Sequence, residues 1–215
     1  MQRVIVTGFG VFAGVTKNPT EDIISSLDRW DTEGFSLTTK VLICSVDSVQ
    51  NFMSDLSETL PTIADCDDVI LVHLGVDTGS KSIKLETMGF NNMTFRVPDE
   101  GGYQPNSVSI LGDETFDAPI ESGLNICKLC EQLSSREWNV ESSADPGRFL
   151  CNYIYYRSLC LSMARREKAG KSDERGTCHS LFIHVPTVAV VSLQDQIMFV
   201  KRAVEAILLN CSHSR

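Results

Sequence analysis

Short apolar runs alternate along this chain with longer stretches in which apolar residues recur every three or four positions. Val4-Ile5-Val6 is a short buried run that ends at Gly8 and predicts a strand. Leu37 to Ser45 predicts a second strand, Asp68 to Gly75 a third and Leu181 to Val185 a fourth, closed by Pro186. Trp138 to Ser142 adds a brief one. Between them, helical spacing covers Thr20–Trp30, Val49–Leu60, Ile120–Leu133 and Cys151–Arg166. Asn18 can cap the first of these and Pro19 can start it, while Pro61 stops the second. A last helix carries Leu193, Ile197, Val200, Val204, Ile207 and Leu208 on one face. Ile83 to Arg96 reads as extended pieces and loop. Pro98 to Pro119 holds most of the turn formers and reads as a long ordered excursion. Arg165 to Thr177 is charged and reads as a solvated loop.

Strands and helices alternating from end to end predict an α/β fold, with a central, mostly parallel sheet and helices on both sides. No repeat or linker divides residues 1–215, so a single domain is expected. In such sheets ligands bind beyond the carboxyl ends of the strands. Gly8 to Gly14, Gly75 to Glu86 and His184 all lie just past strand ends, so they can meet on one rim with Cys151 nearby.

Composition narrows the function classes. A formal charge of −9 speaks against nucleic acid or an anionic membrane as the main partner. No apolar run is long enough to span a bilayer. The N-terminus enters a strand-like run directly, without the layout of a signal peptide, so a cytoplasmic location is expected. The eight cysteines, at 44, 66, 127, 130, 151, 160, 178 and 211, then read as reduced thiols.

The chemistry gathers around Gly147-Arg148-Phe149-Leu150-Cys151-Asn152-Tyr153. Gly147 suits a sharp turn, which puts Cys151 at the start of a helix. Unpaired N–H groups and the helix dipole favour a negative charge there, and the thiolate is the form that attacks carbon. The rival reading is a cysteine packed as a small hydrophobe. A thiol nucleophile needs a base and a group to orient that base. His184, at the end of a strand before Pro186, suits the base. Glu86 is one of several acids that could orient it. His73 reads as a core histidine, and His179 and His213 as solvated ones. Gly8-x-Gly10-x-x-x-Gly14 is a residue too long for a dinucleotide fingerprint and carries Phe9 and Phe12, which suit the walls of a small pocket better. Cys127-x-x-Cys130 lies in a predicted helix without a second ligand pair. No metal and no cofactor are expected.

These pieces resemble, over nearly the whole chain, the pyroglutamyl-peptidase I family of cysteine peptidases. The resemblance rests on Val6-Thr7-Gly8-Phe9-Gly10-Val11-Phe12, Asn18-Pro19-Thr20, His73-Leu74-Gly75-Val76, Leu85-Glu86 and Phe95-Arg96-Val97-Pro98-Asp99. It extends through Gly147 to Tyr153 and Phe182-Ile183-His184-Val185-Pro186. It implies a three-layer α/β/α sandwich and an enzyme that removes N-terminal pyroglutamate from peptides. It implies Cys151 as nucleophile, His184 as base and Glu86 as the acidic member. It also implies apolar walls from Phe9, Phe12, Val97, Phe149 and Leu150, with Arg96 near the reacting carbonyl. The chain departs from the family at Cys44-Ser45, where many members have a proline, and at Pro146, where alanine is more usual. Rival functions are a binding protein without turnover and another hydrolase or phosphorylase chemistry on the same layers.

Overall fold

A computed structural model of the chain describes residues 2–12, 14–60, 68–112, 114–169 and 176–212. Strands β1 (Gln2–Phe9), β2 (Phe35–Leu42), β3 (Asp68–Val76), β4 (Ile83–Glu86), β7 (Val140–Ser143) and β8 (Cys178–Val185) form one sheet. A ribbon of β5 (Met88–Phe90) and β6 (Pro119–Glu121) stands apart from it. The sheet order is β2-β1-β3-β8-β4-β7. All neighbours run parallel except β4 and β8, which are antiparallel, with Lys84 opposite His184.

Two cores lie on the two faces of this sheet, because successive residues of a strand point to opposite sides. Ile70, Val72 and Leu74 of β3 and Leu181, Ile183 and Val185 of β8 pack with α1 (Pro19–Leu27), α3 (Ile126–Leu133) and α5 (Leu193–Ser212). Val69 and Leu71 of β3 and Phe182 of β8 pack against α2 (Val46–Thr59) and α4 (Leu150–Ala169). The α/β/α layering therefore follows from strands that are apolar on both faces. The same alternation puts Gly75, His184, Lys84 and Glu86 on the α4 face.

Local signals set several boundaries. The Asn18 side chain accepts the Thr20 N–H and opens α1, with Pro19 in the first turn. Ser45 belongs to a helix rather than to the second strand: its side chain accepts the Ser48 N–H and caps α2. The helix expected from Ile120 begins instead at Ile126. Ile120 pairs with Gly89 in the ribbon, and the Asn125 side chain caps α3 by accepting the Lys128 N–H. Helix α1 ends at Leu27, short of Trp30. Arg165 to Ala169 continue α4 rather than starting a loop. His179 lies within β8 and is half-buried, not solvated. Pro61, Cys66, His213 and the loop expected over 170–175 lie outside the described residues.

Candidate active site

The turn before α4 is fixed from several sides. Gly147 has φ +77°, in the left-handed region where glycine carries no steric penalty. Arg148 then anchors the turn. Its Nε donates to Asp117 Oδ1 at 3.0 Å, its Nη1 donates to Asp145 Oδ1 at 2.8 Å, and its guanidinium lies 3.8 Å from the Phe90 ring centre. Buried Asn152 ties the helix start to the ribbon region, accepting from the Phe90 N–H and donating to the Phe90 and Asn92 carbonyls. With Tyr153 N–H bonded to the Phe149 carbonyl, Cys151 sits in the first turn of α4. The N–H groups of such a turn have no partner within the helix and face the site in front of it.

The sulfur of Cys151 lies over the backbone of β3 at Gly75. A Cβ at Gly75 would stand 2.9 Å from Cys151 Sγ and 2.7 Å from Phe182 Cζ, so only glycine leaves the sulfur its place. Gly75 is the register partner of His184 on β8. The His184 Nδ1–H donates to Glu86 Oε1 at 2.7 Å, and Cys151 lies near enough to the ring to act on its charge. Glu86 is 0% exposed, and its Oε2 has no hydrogen-bond partner among the described residues. Its backbone is held in turn, because the Tyr155 hydroxyl donates to the Glu86 carbonyl at 2.8 Å. Burial disfavours a charged imidazole at His184. The influence of Cys151, followed by the hydrogen bond and charge of Glu86, outweighs it and pushes the pKa up to about 10. The three side chains therefore form a line in which an imidazolium is held between a sulfur and a buried carboxylate.

An aromatic wall stands beside this line. Phe149 lies 6.1 Å from Phe12 and 4.5 Å from Phe95 between ring centres, and Phe95 in turn lies 6.5 Å from Tyr103. Phe12 and Phe149 are half-buried. Phe9 and Leu150, expected as walls, are buried in the core under α2 and α4 and can only back the wall. Val97 is 42% exposed and Arg96 is exposed, so both stand at the surface of the loop that follows Phe95. Residues given no role in the sequence reading contribute as well. Phe95 completes the wall, Gly75 makes room for the sulfur, and Tyr155 and Asn152 hold its neighbours. Gly75 was visible only as the end of a strand, since its role depends on which helix lies above it.

The other candidates fall elsewhere. His73 is fully buried, with Nδ1 2.8 Å from Thr7 Oγ1, and burial pushes its pKa down to about 3. It is a core histidine. Cys127 and Cys130 lie on α3, which packs on the opposite face of the sheet from Cys151. Among the described residues no group of three or more His, Cys, Asp or Glu side chains is placed to hold a metal ion.

The family model described as pyroglutamyl peptidase matches residues 2–212. The chain belongs to the pyroglutamyl peptidase family. The pyrrolidone-carboxylate peptidase of Pyrococcus furiosus is 31% identical over 191 residues, covering 86% of this chain and 81% of its own. That of Thermococcus litoralis is 30% identical over 190 residues, covering 86% and 77%. The solved structure of the Pyrococcus furiosus pyrrolidone carboxyl peptidase superposes with a TM-score of 0.82 at 26% identity, over 97% of this chain and 99% of that one. This pyroglutamyl peptidase family member thus shares the layered α/β architecture of its relatives across nearly its whole length, including the elements that carry Cys151, His184 and Glu86.

Proposed function

We propose that this pyroglutamyl peptidase family member is a cysteine exopeptidase that removes pyroglutamate, the cyclic 5-oxoproline, from the N-terminus of peptides. Cys151 is the nucleophile, His184 the general base and acid, and Glu86 the group that orients and charges the imidazole. The observation that carries this reading is the Glu86–His184 hydrogen bond of 2.7 Å, with the Cys151 sulfur at Gly75, the register partner of His184.

The chemistry follows from that line. With the Cys151 proton already resting on His184, the sulfur attacks the pyroglutamyl carbonyl. Negative charge builds on the carbonyl oxygen and is met by N–H groups of the first turn of α4. The imidazolium then protonates the departing amine, leaving a pyroglutamyl thioester on Cys151. Water, activated by the neutral imidazole, adds to the thioester carbonyl. Collapse releases free pyroglutamate and restores the thiol.

The flat, neutral lactam suits the wall of Phe12, Phe95 and Phe149, backed by Phe9 and Leu150, with Val97 and Arg96 at the rim. An ordinary N-terminus carries an ammonium group, and burying that charge without a partner in an apolar slot is costly. The wall thus selects for the cyclised terminus. We further assign residues 1–215 to one catalytic domain working on pyroglutamyl peptides in the cytoplasm, with neither nucleic acid nor a membrane as partner. The net charge of −9 supports this, and no described helix is long and apolar enough to cross a membrane.

Release of a fluorescent amine from a pyroglutamyl conjugate tests the assignment. Wild type should release it and Cys151→Ser should not. Equal release by both proteins would remove Cys151 as nucleophile, and no release by wild type would remove the activity.

A further inference from the structure

The proposed reaction accounts for the wall, the sulfur, the imidazole and Glu86, but not for a second charged pair on the same face of the sheet. The Lys84 Nζ donates to Asp77 Oδ2 at 2.9 Å. Lys84 stands directly opposite His184 in the β4–β8 pairing, and such partners point to the same side of a sheet. Asp77 follows β3, two residues past Gly75. It is anchored by its own N–H to the Val185 carbonyl at 2.9 Å, and its Oδ1 accepts the Gly79 N–H at 3.0 Å. Asp77 also lies close enough to His184 to interact with its charge. The Lys84 and Asp77 side chains are 28% and 33% exposed, so a ligand can reach both.

The order of elements across the rim gives this pair a direction. Phe12 follows β1, Cys151 lies over β3, His184 is on β8 and Lys84 on β4. The lactam lies toward the β1 side, against Phe12 and Phe149. The departing amine must lie next to His184, which protonates it. The rest of the peptide therefore leaves toward β4. Two strand spacings separate β3 from β4, about 10 Å, and an extended peptide covers that in about three residues. Lys84 leans back to Asp77 and shortens the span.

We propose that the Asp77–Lys84 pair is the leaving-side subsite of this enzyme, reading the backbone of the first two residues after pyroglutamate. Lys84 donates to a peptide carbonyl there, and the Asp77 carboxylate accepts a peptide N–H. The ligand class is an extended peptide with at least one amide beyond the scissile bond. An aromatic amine leaving group offers neither partner. This subsite rests on the pyroglutamyl-peptidase reading above.

The test compares kcat/KM for a pyroglutamyl tripeptide amide with kcat/KM for a pyroglutamyl 2-naphthylamide in wild type, Lys84→Met, Asp77→Asn and Lys84→Arg. The ratio of peptide to naphthylamide should fall about five- to tenfold in Lys84→Met and in Asp77→Asn, the size of one charge-assisted hydrogen bond discounted for partial exposure. Lys84→Arg, which keeps the donor charge, should hold the ratio near wild type. An unchanged ratio overturns the subsite, whether both substrates are unaffected or both slow together through misfolding or a disturbed His184. Wild type that cleaves neither substrate refutes the peptidase reading itself, and the subsite falls with it.

Discussion

Replacing Glu86 with glutamine keeps the shape of the side chain and removes its charge. The carboxylate is buried and accepts a 2.7 Å hydrogen bond from the His184 Nδ1–H. A hydrogen bond to a buried charge contributes about 1.5–3 kcal/mol. At about 1.36 kcal/mol per pKa unit, its loss should lower the imidazolium pKa by about one to two units. The sign is set by the role. In the proposed mechanism the protonated imidazole balances the sulfur and supplies the leaving-group proton, so activity should decline as pH rises through its pKa. Glu86 helps to raise that pKa, which stands at about 10. In Glu86→Gln the alkaline limb of the kcat/KM profile should therefore move to lower pH by about one to two units, beyond any uniform drop in rate. The profile is measured on a pyroglutamyl fluorogenic amide, with melting at each pH to exclude unfolding. A uniform loss of activity with the limb unmoved would mean that Glu86 does not charge His184, and the electrostatic reasoning would fail.

Gly75→Ala places a methyl group 2.9 Å from Cys151 Sγ and 2.7 Å from Phe182 Cζ. It should cut kcat at least about tenfold through displacement of the sulfur and destabilise the fold by about 1–3 kcal/mol; wild-type kcat would show that the sulfur does not depend on the bare backbone. Phe149→Ala removes the ring shared by Phe12 and Phe95. It should raise KM for pyroglutamyl substrates about tenfold or more, the worth of one well-packed apolar contact, and an unchanged KM would place the lactam elsewhere. His73 carries a pKa near 3 in the folded protein against an ordinary 6.5, so the unfolded chain binds the extra proton between those values. Its contribution to stability is therefore present above pH 6.5 and is lost as pH falls toward 3. In His73→Gln the decline in urea-measured stability from pH 6 to pH 4 should flatten by up to about 1.4 kcal/mol per pH unit; an identical slope would mean that His73 titrates normally.

Much of the architecture is legible because each sheet strand in the middle carries its own apolar run. Asp68 to Gly75 and Leu181 to Val185 could scarcely be solvated, and the observed β3 and β8 are the central pair. The ribbon is not legible in the same way. Ile120 reads as the start of a helix because its pairing with Gly89 is remote in sequence and leaves no local trace. The expected solvated loop begins too early because Arg165 to Lys168 are charged but still helical, and charge alone does not end a helix. Within the site, Gly147 and the apolar run after Cys151 announce a helix start from local sequence. Glu86 could be chosen over the other acids only through the resemblance. It lies 98 positions from His184, and the antiparallel insertion of β4 beside β8 is what brings them together. The role of Gly75 is hidden from the sequence for a related reason, since the space it leaves matters only once α4 lies across β3.

The most direct measurement is acid quenching of the enzyme during turnover of an activated pyroglutamyl ester, followed by peptide mapping by mass spectrometry. A pyroglutamyl thioester on Cys151, confined to that cysteine and absent in Cys151→Ser, is the expected result. Full turnover with Cys151 unmodified in every quench, or an adduct on another cysteine instead, would contradict the assignment of Cys151 as the nucleophile.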